Sequence, residues 1–286
     1  MVERALTAAG WDCRIVLIKT TGDRIQDRSL ADAGGKGLFT KELEEALLAG
    51  TIDIAVHSMK DVPVVLPPGL RLGAILEREN PADVFISRAA SSLKTLPVGA
   101  RIGTSSVRRA AQLRRARPDC IPVLLRGNVD TRLRKLEEGA MDAIILALAG
   151  LKRLGLAAQA TDILSTDEWL PSLAQGAVGI EIRENDARAV EAVRPLEHAP
   201  TAIALACERA FQAALDGSCK TPIAGLARYD GTTLSFKGEV LAPDGSDFVS
   251  ASFTMHHINC GKSEADLAGR EAGYKLKPRA AGWLAE

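Results

Sequence analysis

The chain has 286 residues, of which 47% are hydrophobic and 4% aromatic, and its 36 basic residues balance 36 acidic ones. A chain of this length accommodates two or three domains with a substantial core. Zero net charge argues against a nucleic-acid coat or a membrane-surface protein, and no apolar stretch approaches the length of a membrane span. We therefore expect a soluble, cytoplasmic α/β protein that binds neither nucleic acid nor membrane.

The first predicted elements are an amphipathic helix over residues 1–9 and a strand over Cys13–Lys19. A glycine-rich loop follows at residues 33–40, where three glycines around Lys36 permit close approach to a ligand. The Walker spacing is absent, and a flexible connector fits the spacing of this loop equally well. Thr40 is predicted to cap the next helix.

The stretch D-I-A-V-H-S-M-K-D-V-P at residues 53–63 is the strongest candidate for a site. Ile54–Val56 suits a buried strand, and Pro63 prevents continuation of its ladder. Ligands sit beyond the carboxyl ends of strands in open α/β sheets, which is where Lys60 and Asp61 fall. We predict that Asp61 takes part in the chemistry.

A repeated pattern indicates two lobes. Helices predicted to end at Gly50 and Gly139 are each followed by an aspartate that precedes an apolar strand. The polar segment 77–83 is a candidate crossing between lobes, and residues 172–181 are the candidate return. We therefore place lobe 1 at residues 1–78 and 174–197, lobe 2 at 79–173, and a C-terminal domain at 198–286.

Lobe 2 opens with R-I-G-T-S-S-V-R-R, in which Thr104, Ser105 and Ser106 supply hydroxyls and N-terminal amides to a helix. Arg108 and Arg109 fall in the first turns of that helix, where they oppose its dipole, which favours an external anion as their partner. By contrast, arginines at the end of the helix are favoured there, and we interpret them as solvated. They are Arg114, Arg115 and Arg117.

The next strand-to-helix turn carries Arg126 and Arg132 in the sequence R-G-N-V-D-T-R-L, and Lys152 and Arg153 follow a later strand. For any single arginine, a surface ion pair is the favoured interpretation. Arginines at two consecutive turns instead indicate a polyanion-binding cleft. Nucleic acid is disfavoured because aromatic residues for stacking are few.

The C-terminal domain is predicted to begin with a helix capped by Thr201, in which Cys207 is a core residue. Cys219 differs because it lies in a loop beside Lys220, where a thiolate is accessible and electrostatically favoured. It is the best candidate nucleophile, although an inert loop cysteine stays open.

Three strands between residues 223 and 256 and a closing helix over 263–276 are predicted to complete the C-terminal domain. The five cysteines lack C-x-x-C spacing, which argues against disulfides and zinc knuckles. The adjacent His256 and His257 would face opposite sides of a strand, and we predict no metal.

With these features in place, the chain resembles the porphobilinogen deaminase (hydroxymethylbilane synthase) family. The matching motifs run in family order: A-G-G-K-G-L-F, D-I-A-V-H-S-M-K-D-V-P, I-G-T-S-S-x-R-R, L-R-G-N-V-x-T-R-L, D-A-I-I-L-A-x-A-G-L-K-R-L-G, Q-G-A-V-G-I-E and G-S-C-K-T-P-I-A. The resemblance implies two lobes like those of type 2 periplasmic binding proteins plus a small C-terminal α/β domain. It also implies a monomer that condenses four porphobilinogen molecules, with loss of ammonia, into a linear tetrapyrrole.

The resemblance further implies a dipyrromethane cofactor held through a thioether by Cys219, with Asp61 as general acid/base assisted by Lys60. The implied cofactor-binding residues are Lys60, Asp61, Thr104, Ser105, Ser106, Arg108, Arg109, Arg126 and Gly127. The implied substrate-binding residues are Lys36, Phe39, Arg126, Arg132, Arg153 and Gln175. Acetate and propionate groups on each pyrrole make the growing chain a polyanion, which accounts for a basic cleft in a neutral protein.

One departure from the family is expected to matter. Family members begin with a strand and an L-R-I-A-T-R-x-S-P-L-A loop that have no counterpart here, so the first strand of lobe 1 is expected to be missing. A piece of about 20 residues corresponds to one strand and roughly two helical turns. Two alternatives to the transferase stay open at this point: a non-catalytic two-lobed anion-binding module, and an inactive truncated remnant of the enzyme.

Overall fold

The computed structural model describes residues 1–24, 37–217, 221–256 and 261–284. The strands are β1 (Ile54–Ser58), β2 (Leu70–Ile75), β3 (Asp83–Ser87), β4 (Arg101–Thr104), β5 (Ile121–Leu124), β6 (Ala143–Ala147), β7 (Asp162–Ile163), β8 (Val178–Arg183), β9 (Ile223–Tyr229), β10 (Leu234–Leu241) and β11 (Phe248–Met255). The helices are α1 (Val2–Ala8), α2 (Thr21–Arg24), α3 (Lys41–Leu48), α4 (Val107–Ala116), α5 (Val129–Glu137), α6 (Leu148–Arg153), α7 (Ala187–Val193), α8 (Ala199–Ala214) and α9 (Lys262–Ala280). The predicted α/β class is confirmed.

The lobe 1 sheet has the strand order β1-β8-β2, and both pairings are antiparallel. The predicted N-terminal helix is confirmed as α1, which buries Val2 and Leu6 in the same core cluster as Ile180 and Ile182 of β8. The strand predicted at Cys13–Lys19 is wrong, because these residues pair with no described strand. β-branched composition favours a strand only where neighbouring strands supply hydrogen bonds and packing.

The lobe 2 sheet has the strand order β5-β4-β6-β3-β7. Because β4 runs parallel to both β5 and β6, the carboxyl ends of these strands meet at one edge. The two helices that follow β4 and β5 are capped there by side chains, as Ser106 accepts from the amide of Arg109 and Asn128 from that of Thr131. Both helix N-termini are therefore held at the sheet edge where a ligand would sit.

One helix in each lobe ends in the same way, with a glycine in the left-handed conformation. Gly50 follows α3 with φ +70°, and Gly139 follows α5 with φ +73°. Each glycine amide donates to a carbonyl three residues earlier, and the next amide reaches back five residues. A left-handed residue at this place ends a helix and turns the chain into the following strand.

The chain crosses between lobes twice. β2 lies in the lobe 1 sheet and β3 in the lobe 2 sheet, whereas β7 and β8 make the reverse step. Lobe 1 is therefore built from two separate stretches of chain, while the predicted domain boundaries themselves stay a prediction.

Both crossings are tied to the C-terminal domain by Glu208 of α8, whose side chain is fully buried. Its carboxylate accepts from Arg78 Nη1 at 2.6 Å, on the first crossing, and from the Ala174 amide at 2.5 Å, on the second. It also accepts from the Ala227 amide of β9 at 2.7 Å. One carboxylate thus joins both crossings to the third domain.

The C-terminal sheet has the order β11-β10-β9, is antiparallel throughout, and packs against α8 and α9. Cys207 is fully buried in this core, as predicted. Helix α8 begins before the predicted cap: the N-cap is His198, whose side chain accepts from the Thr201 amide, so Thr201 already lies inside the helix. This start of α8 was not predicted because histidine is a rarer N-cap residue than serine or threonine.

Two smaller expectations also change. Thr40 occupies the N-cap of α3, but its side chain makes no cap hydrogen bond. β11 ends at Met255, so His256 lies beyond the strand, and His257 falls outside the described residues.

No helix in the described part of the chain is long and apolar enough to cross a membrane. Residues 1–24, 37–217, 221–256 and 261–284 hold no group of three acidic, histidine or cysteine side chains suited to a metal ion.

Candidate active site

The three domains meet around a cavity of about 310 Å³. Lobe 1, lobe 2, the return crossing and the C-terminal domain all contribute to its walls. The lining residues are Phe39, Lys60, Asp61, Ser105, Ser106, Val107, Arg108, Arg109, Arg126, Arg132, Ser172, Leu173, Gln175, Gln212, Thr221 and Ile223. Most of the residues predicted from the sequence to form a site are therefore brought together in one cleft.

Lobe 1 presents Lys60 and Asp61 on a 3₁₀ turn, Met59–Asp61, at the carboxyl end of β1. The turn is anchored on both sides, because Met59 and Val62 are buried in a hydrophobic cluster and the Met59 amide donates to the Ala177 carbonyl. Lys60 and Asp61 are half-buried, and neither side chain makes a hydrogen bond within the described part of the chain. Both are thus held in place with their polar atoms uncommitted.

The environment perturbs both ionisable groups. Burial raises the pKa of Asp61 above its ordinary value, while the positive charges of Lys60, His57 and Arg132 act in the opposite direction. Burial lowers the pKa of Lys60, an effect that Asp61 opposes and Arg109 reinforces. A carboxyl whose pKa is displaced towards neutrality can both accept and donate a proton during a reaction.

A buried hydrogen-bonded pair of side chains lies beside this turn. His57 Nε2 of β1 contacts Glu181 Oε2 of β8 at 2.9 Å, and both side chains are almost fully excluded from solvent. The other carboxylate oxygen, Oε1, is buried with no hydrogen-bond partner in the part of the chain that the structure describes. No role was predicted for Glu181, although it ends the motif Q-G-A-V-G-I-E, because its partner His57 lies in a distant segment of the sequence.

Lobe 2 presents Arg108 and Arg109, whose immediate partner is internal and not an external anion as predicted. Arg108 Nη2 donates to Asp83 Oδ2 at 2.8 Å, and Arg109 Nη2 donates to Oδ1 at 2.6 Å. Trp169 Nε1 and Gln175 Nε2 complete the shell around the carboxylate. The two guanidinium groups hold the pKa of Asp83 far below its usual range despite its burial.

The charge balance of this cluster still favours an anion in the cleft. Asp83 is one carboxylate shared by two guanidinium groups, and both arginines also line the cavity. A positive excess therefore stays on the cavity wall. In a site sheltered from water such an excess attracts anionic ligands strongly.

Of the three predicted hydroxyls, Ser105 and Ser106 line the cavity. Thr104 is buried behind them, where its Oγ1 accepts from the Ser106 amide at 3.2 Å. This contact shapes the turn, and a contact of Thr104 with the cofactor stays a prediction.

The turn after β5 brings two further arginines to the cavity. Arg126 and Arg132 both line it, and Arg132 Nε donates to the Gly127 carbonyl at 2.7 Å. Gly127 has φ +115°, and an added Cβ would lie 2.8 Å from Thr131, so the turn requires glycine. Burial, with help from Arg109 and Arg126, lowers the pKa of Arg132 to about 10, so it stays charged at neutral pH.

The structure places the remaining predicted substrate-binding residues unevenly. Gln175 lines the cavity and donates to the Pro81 carbonyl at 2.7 Å, which joins the return crossing to the first one. Arg153 does not line the cavity, because its Nη2 donates to the Gly176 carbonyl at 2.6 Å. Its role in substrate binding stays a prediction.

The interpretation of the arginines at the end of α4 as solvated is wrong. Arg114 donates to the Pro243 carbonyl at 2.7 Å, and Arg115 pairs with Glu239 at 3.1 Å while lying over the Phe248 ring. Arg117 pairs with Asp119 at 2.6 Å and donates to carbonyls of the preceding loop. Arg114 and Arg115 thus fasten lobe 2 to the C-terminal domain, which no helix-local pattern reveals.

Two of the predicted site residues, Lys36 and Cys219, lie outside the described residues. Their neighbours on the cavity wall are described: Phe39 follows Lys36 by three residues, and Thr221 follows Cys219 by two. Thr221 is buried, and its Oγ1 has no hydrogen-bond partner within residues 1–24, 37–217, 221–256 and 261–284.

Two α/β lobes and a third domain that enclose a cationic cleft with one perturbed carboxyl define the class: a protein that binds a polyanionic ligand and has a group suited to acid–base chemistry. Comparison with known proteins makes this specific. The family model "Porphobilinogen deaminase, dipyromethane cofactor binding domain" matches residues 1–191, and "Porphobilinogen deaminase, C-terminal domain" matches residues 202–277. The chain belongs to the porphobilinogen deaminase family.

Curated relatives agree with this assignment. A porphobilinogen deaminase of Nitrobacter winogradskyi is 52% identical over 279 residues, covering 98% of this chain and 87% of the relative. One from Nitrobacter hamburgensis is 51% identical over 269 residues, covering 93% and 84%. The family places the chain among tetrapyrrole-synthesising transferases that use a dipyrromethane cofactor.

Solved structures with a similar backbone include a periplasmic substrate-binding protein from Coxiella burnetii, with TM-score 0.38 and 19% identity over 55% of this chain and 76% of that one. A periplasmic binding protein from Brucella ovis, solved with glutathione bound, has TM-score 0.34 and 21% identity over 62% and 53%. We draw no inference from likenesses this distant.

Proposed function

We propose that this chain condenses four molecules of porphobilinogen stepwise into the linear tetrapyrrole hydroxymethylbilane, with Asp61 as the general acid/base. Each condensation joins a pyrrole ring carbon to the aminomethyl carbon of the incoming unit, releases ammonia, and frees the proton of that ring carbon. The observation that carries the proposal is Asp61 itself: a perturbed carboxyl, held on a fixed turn with no hydrogen-bond partner among the described residues, in a cleft lined by four arginines.

The lining residues fit an acidic cofactor. Arg108, Arg109 and Arg126 supply positive charge, and Ser105 and Ser106 supply hydroxyl donors, while the buried Thr221 hydroxyl on the same wall has no hydrogen-bond partner among the described residues. We propose that these residues and Lys60 hold a dipyrromethane attached through a thioether to Cys219. When bound, the dipyrromethane supplies the pyrrole to which the substrate units are joined.

The chain's own residues would act on the substrate in three ways. Arg132 would orient its carboxylates and Phe39 would pack against its ring, which converts a bimolecular encounter into an oriented one. Gln175 would shape the wall and not bind a carboxylate, because its Nε2 already donates to Pro81 and Asp83. Asp61, ionised, would stabilise the positive charge that develops on the pyrrole nitrogen as ammonia leaves. A carboxylate oxygen of Asp61 would then accept the proton released from the ring carbon.

Lys60 has a complementary task. Its ammonium lies beside Asp61 in the sequence and acts to lower the pKa of that carboxyl, so it keeps part of the Asp61 population ionised. The arginines of lobe 2 in turn lower the pKa of Lys60. A ligand carboxylate in the cleft would offset that repulsion, so we propose that ligand binding strengthens the charge on Lys60.

We further propose that the chain acts as a monomer in the cytoplasm. Size-exclusion chromatography with light scattering would test this, and a dimer that dissociates with loss of activity would contradict it.

Intact-protein mass spectrometry of the unsubstituted chain tests the proposal, with Cys219→Ser as the matched variant and Cys207→Ser as the control. We expect a mass excess equal to one dipyrromethane in the unsubstituted chain and in Cys207→Ser, and none in Cys219→Ser. Porphobilinogen consumption should follow the mass excess. A chain that carries the excess equally in all three forms would refute Cys219 as the attachment site.

A further inference from the structure

Helix α8 of the C-terminal domain packs directly on lobe 1 beside the catalytic turn. Ala202 and Leu205 are buried in the same hydrophobic cluster as Met59 and Val62. Arg209 follows on the same helix face, since residues spaced by three and then four positions align along a helix. Helix α8 thus directs the Arg209 guanidinium towards the segment of lobe 1 that carries Asp61.

That guanidinium binds the residues immediately after Asp61. Arg209 Nη1 donates to the Val62 carbonyl at 3.1 Å, and Nη2 donates to the carbonyls of Pro63 and Val64 at 2.7 and 3.1 Å. Three consecutive carbonyls are therefore held by one side chain from another domain. Only a planar fork with several fixed donors can make this set of bonds, so lysine is not an equivalent replacement.

The Arg209 side chain is positively charged. Burial lowers its pKa to about 10, and the nearby Glu181 carboxylate acts in the opposite direction. Arg209 is therefore protonated throughout the range in which a carboxyl titrates. The Arg209 Nη atoms donate to backbone carbonyls, while Glu181 Oε2 contacts His57.

We propose that Arg209 is a positioning residue for Asp61. By fixing Val62–Val64, it holds the 3₁₀ turn so that the Asp61 carboxyl faces Arg132 and stays withdrawn from water. The acid–base chemistry of lobe 1 then depends on a contact from the domain that carries Cys219. This inference rests on the proposed function, because the position of Asp61 matters only if Asp61 acts.

The test is Arg209→Lys in the full chain, compared with Arg183→Lys. Arg183 is a matched control because it also binds carbonyls with one guanidinium, those of Leu47 at 2.9 Å and Ile52 at 2.6 Å, at a distance from the cleft. Both variants lose a carbonyl-binding fork, so both should lower the melting temperature. Only Arg209→Lys should change catalysis.

For Arg209→Lys we expect kcat to fall by about 100-fold, the size of effect that a misplaced catalytic group produces, with KM nearly unchanged. The acid limb of the pH profile of kcat should move to lower pH, because a loosened turn lets water reach Asp61 and removes the burial that raises its pKa. The cofactor mass excess should be unaltered. Arg183→Lys should keep the normal kcat and pH profile.

A normal kcat and an unshifted acid limb in a folded Arg209→Lys protein would overturn the proposal and leave Arg209 a purely structural role. If the lysine variant fails to fold, Arg209→Gln is measured in the same way, because its neutral amide leaves no uncompensated buried charge. Failure of the proposed function itself is distinguishable, since the unsubstituted chain would then show no turnover before any variant is compared.

Discussion

The two lobes use buried charge in opposite ways. In lobe 2, Arg108 and Arg109 both donate to Asp83, which also accepts from Trp169 and Gln175. In lobe 1, Lys60 and Asp61 lie on the facing wall with no hydrogen bond among the described residues. A hydrogen-bonded network holds its side chains in fixed positions, whereas uncommitted groups keep perturbed pKa values available for reaction.

The contrast separates two tasks that one cleft has to perform. Lobe 2 offers a preorganised cationic surface whose shape does not depend on the ligand. Lobe 1 presents the Asp61 carboxyl, whose protonation state responds to the charge of the ligand that binds in the cleft. Four sets of variants test this division, beginning with the largest expected effect.

Asp61→Asn should reduce kcat by about 10³-fold, within the range that a general acid/base contributes. At pH 7 the same variant should melt at a higher temperature than the unsubstituted chain, because burial raises the pKa of Asp61 and the charged form therefore opposes folding. The gain should shrink as the pH falls from the raised pKa of folded Asp61 towards about 3.9, the ordinary aspartate value, and should be absent below it, where the carboxyl is protonated in both states. Undiminished turnover would remove Asp61 from the chemistry.

Asp83→Asn should have the opposite effect on stability. Removing one partner of a buried ion pair costs about 3–5 kcal/mol, and here two guanidinium groups lose their carboxylate. The pKa of Asp83 is depressed in the folded state, so its contribution is present above about pH 3.9 and is lost as the pH falls further.

Urea unfolding at pH 7 and in acid would measure the effect of Asp83→Asn. Trp169→Phe is the control, since it removes only one neutral donor from the same carboxylate and should cost about 1 kcal/mol. Equal losses of unfolding free energy in the two variants would show that the charge of Asp83 does not determine the stability of lobe 2.

Arg132→Gln should weaken use of porphobilinogen by about 10- to 100-fold in kcat/KM, the value of one or two hydrogen bonds to a charged group. Arg134→Gln is the matched control on the same helix, because Arg134 is exposed and only pairs with Glu138 at 3.7 Å. Steady-state kinetics of both variants would decide. A comparable loss in Arg134→Gln would point to general electrostatic attraction instead of a defined cleft contact.

Gly50→Ala and Gly139→Ala probe the feature that the lobes have in common. An added Cβ meets no atom within 4 Å at either position, so only the left-handed backbone is penalised. Each substitution should cost about 1 kcal/mol, and the two costs should agree. Unequal values in urea titrations would show that the local resemblance of the two helix ends is superficial.

The site residues that were predictable from the sequence belong to local patterns. Lys60 and Asp61 end a strand, and Arg126 and Arg132 flank a strand-to-helix turn, so their neighbours in sequence already specify where they lie. Asp83 and Glu181 were missed because each is an acidic residue in an apolar strand, and its partner comes from a distant segment.

The errors in the fold have the same origin. The apolar run at Cys13–Lys19 favours a strand, yet a strand also needs a neighbour, which local composition does not encode. Arg114 and Arg115 match the pattern of solvated helix-end residues until the C-terminal domain supplies Pro243 and Glu239 as partners. Contacts between domains are the part that residue patterns leave undetermined.

The Glu208 carboxylate has a consequence for modularity. The two family models divide the chain between residues 191 and 202, and this division invites chimaeras in which the C-terminal piece is exchanged. A cut there would separate Glu208 from Arg78 and from the Ala174 amide, leaving a buried charge on one fragment and an unmatched cation on the other. A graft therefore requires a donor domain with a carboxylate at the same helical position. The C-terminal domain and the two crossings that it binds have to be exchanged as one unit.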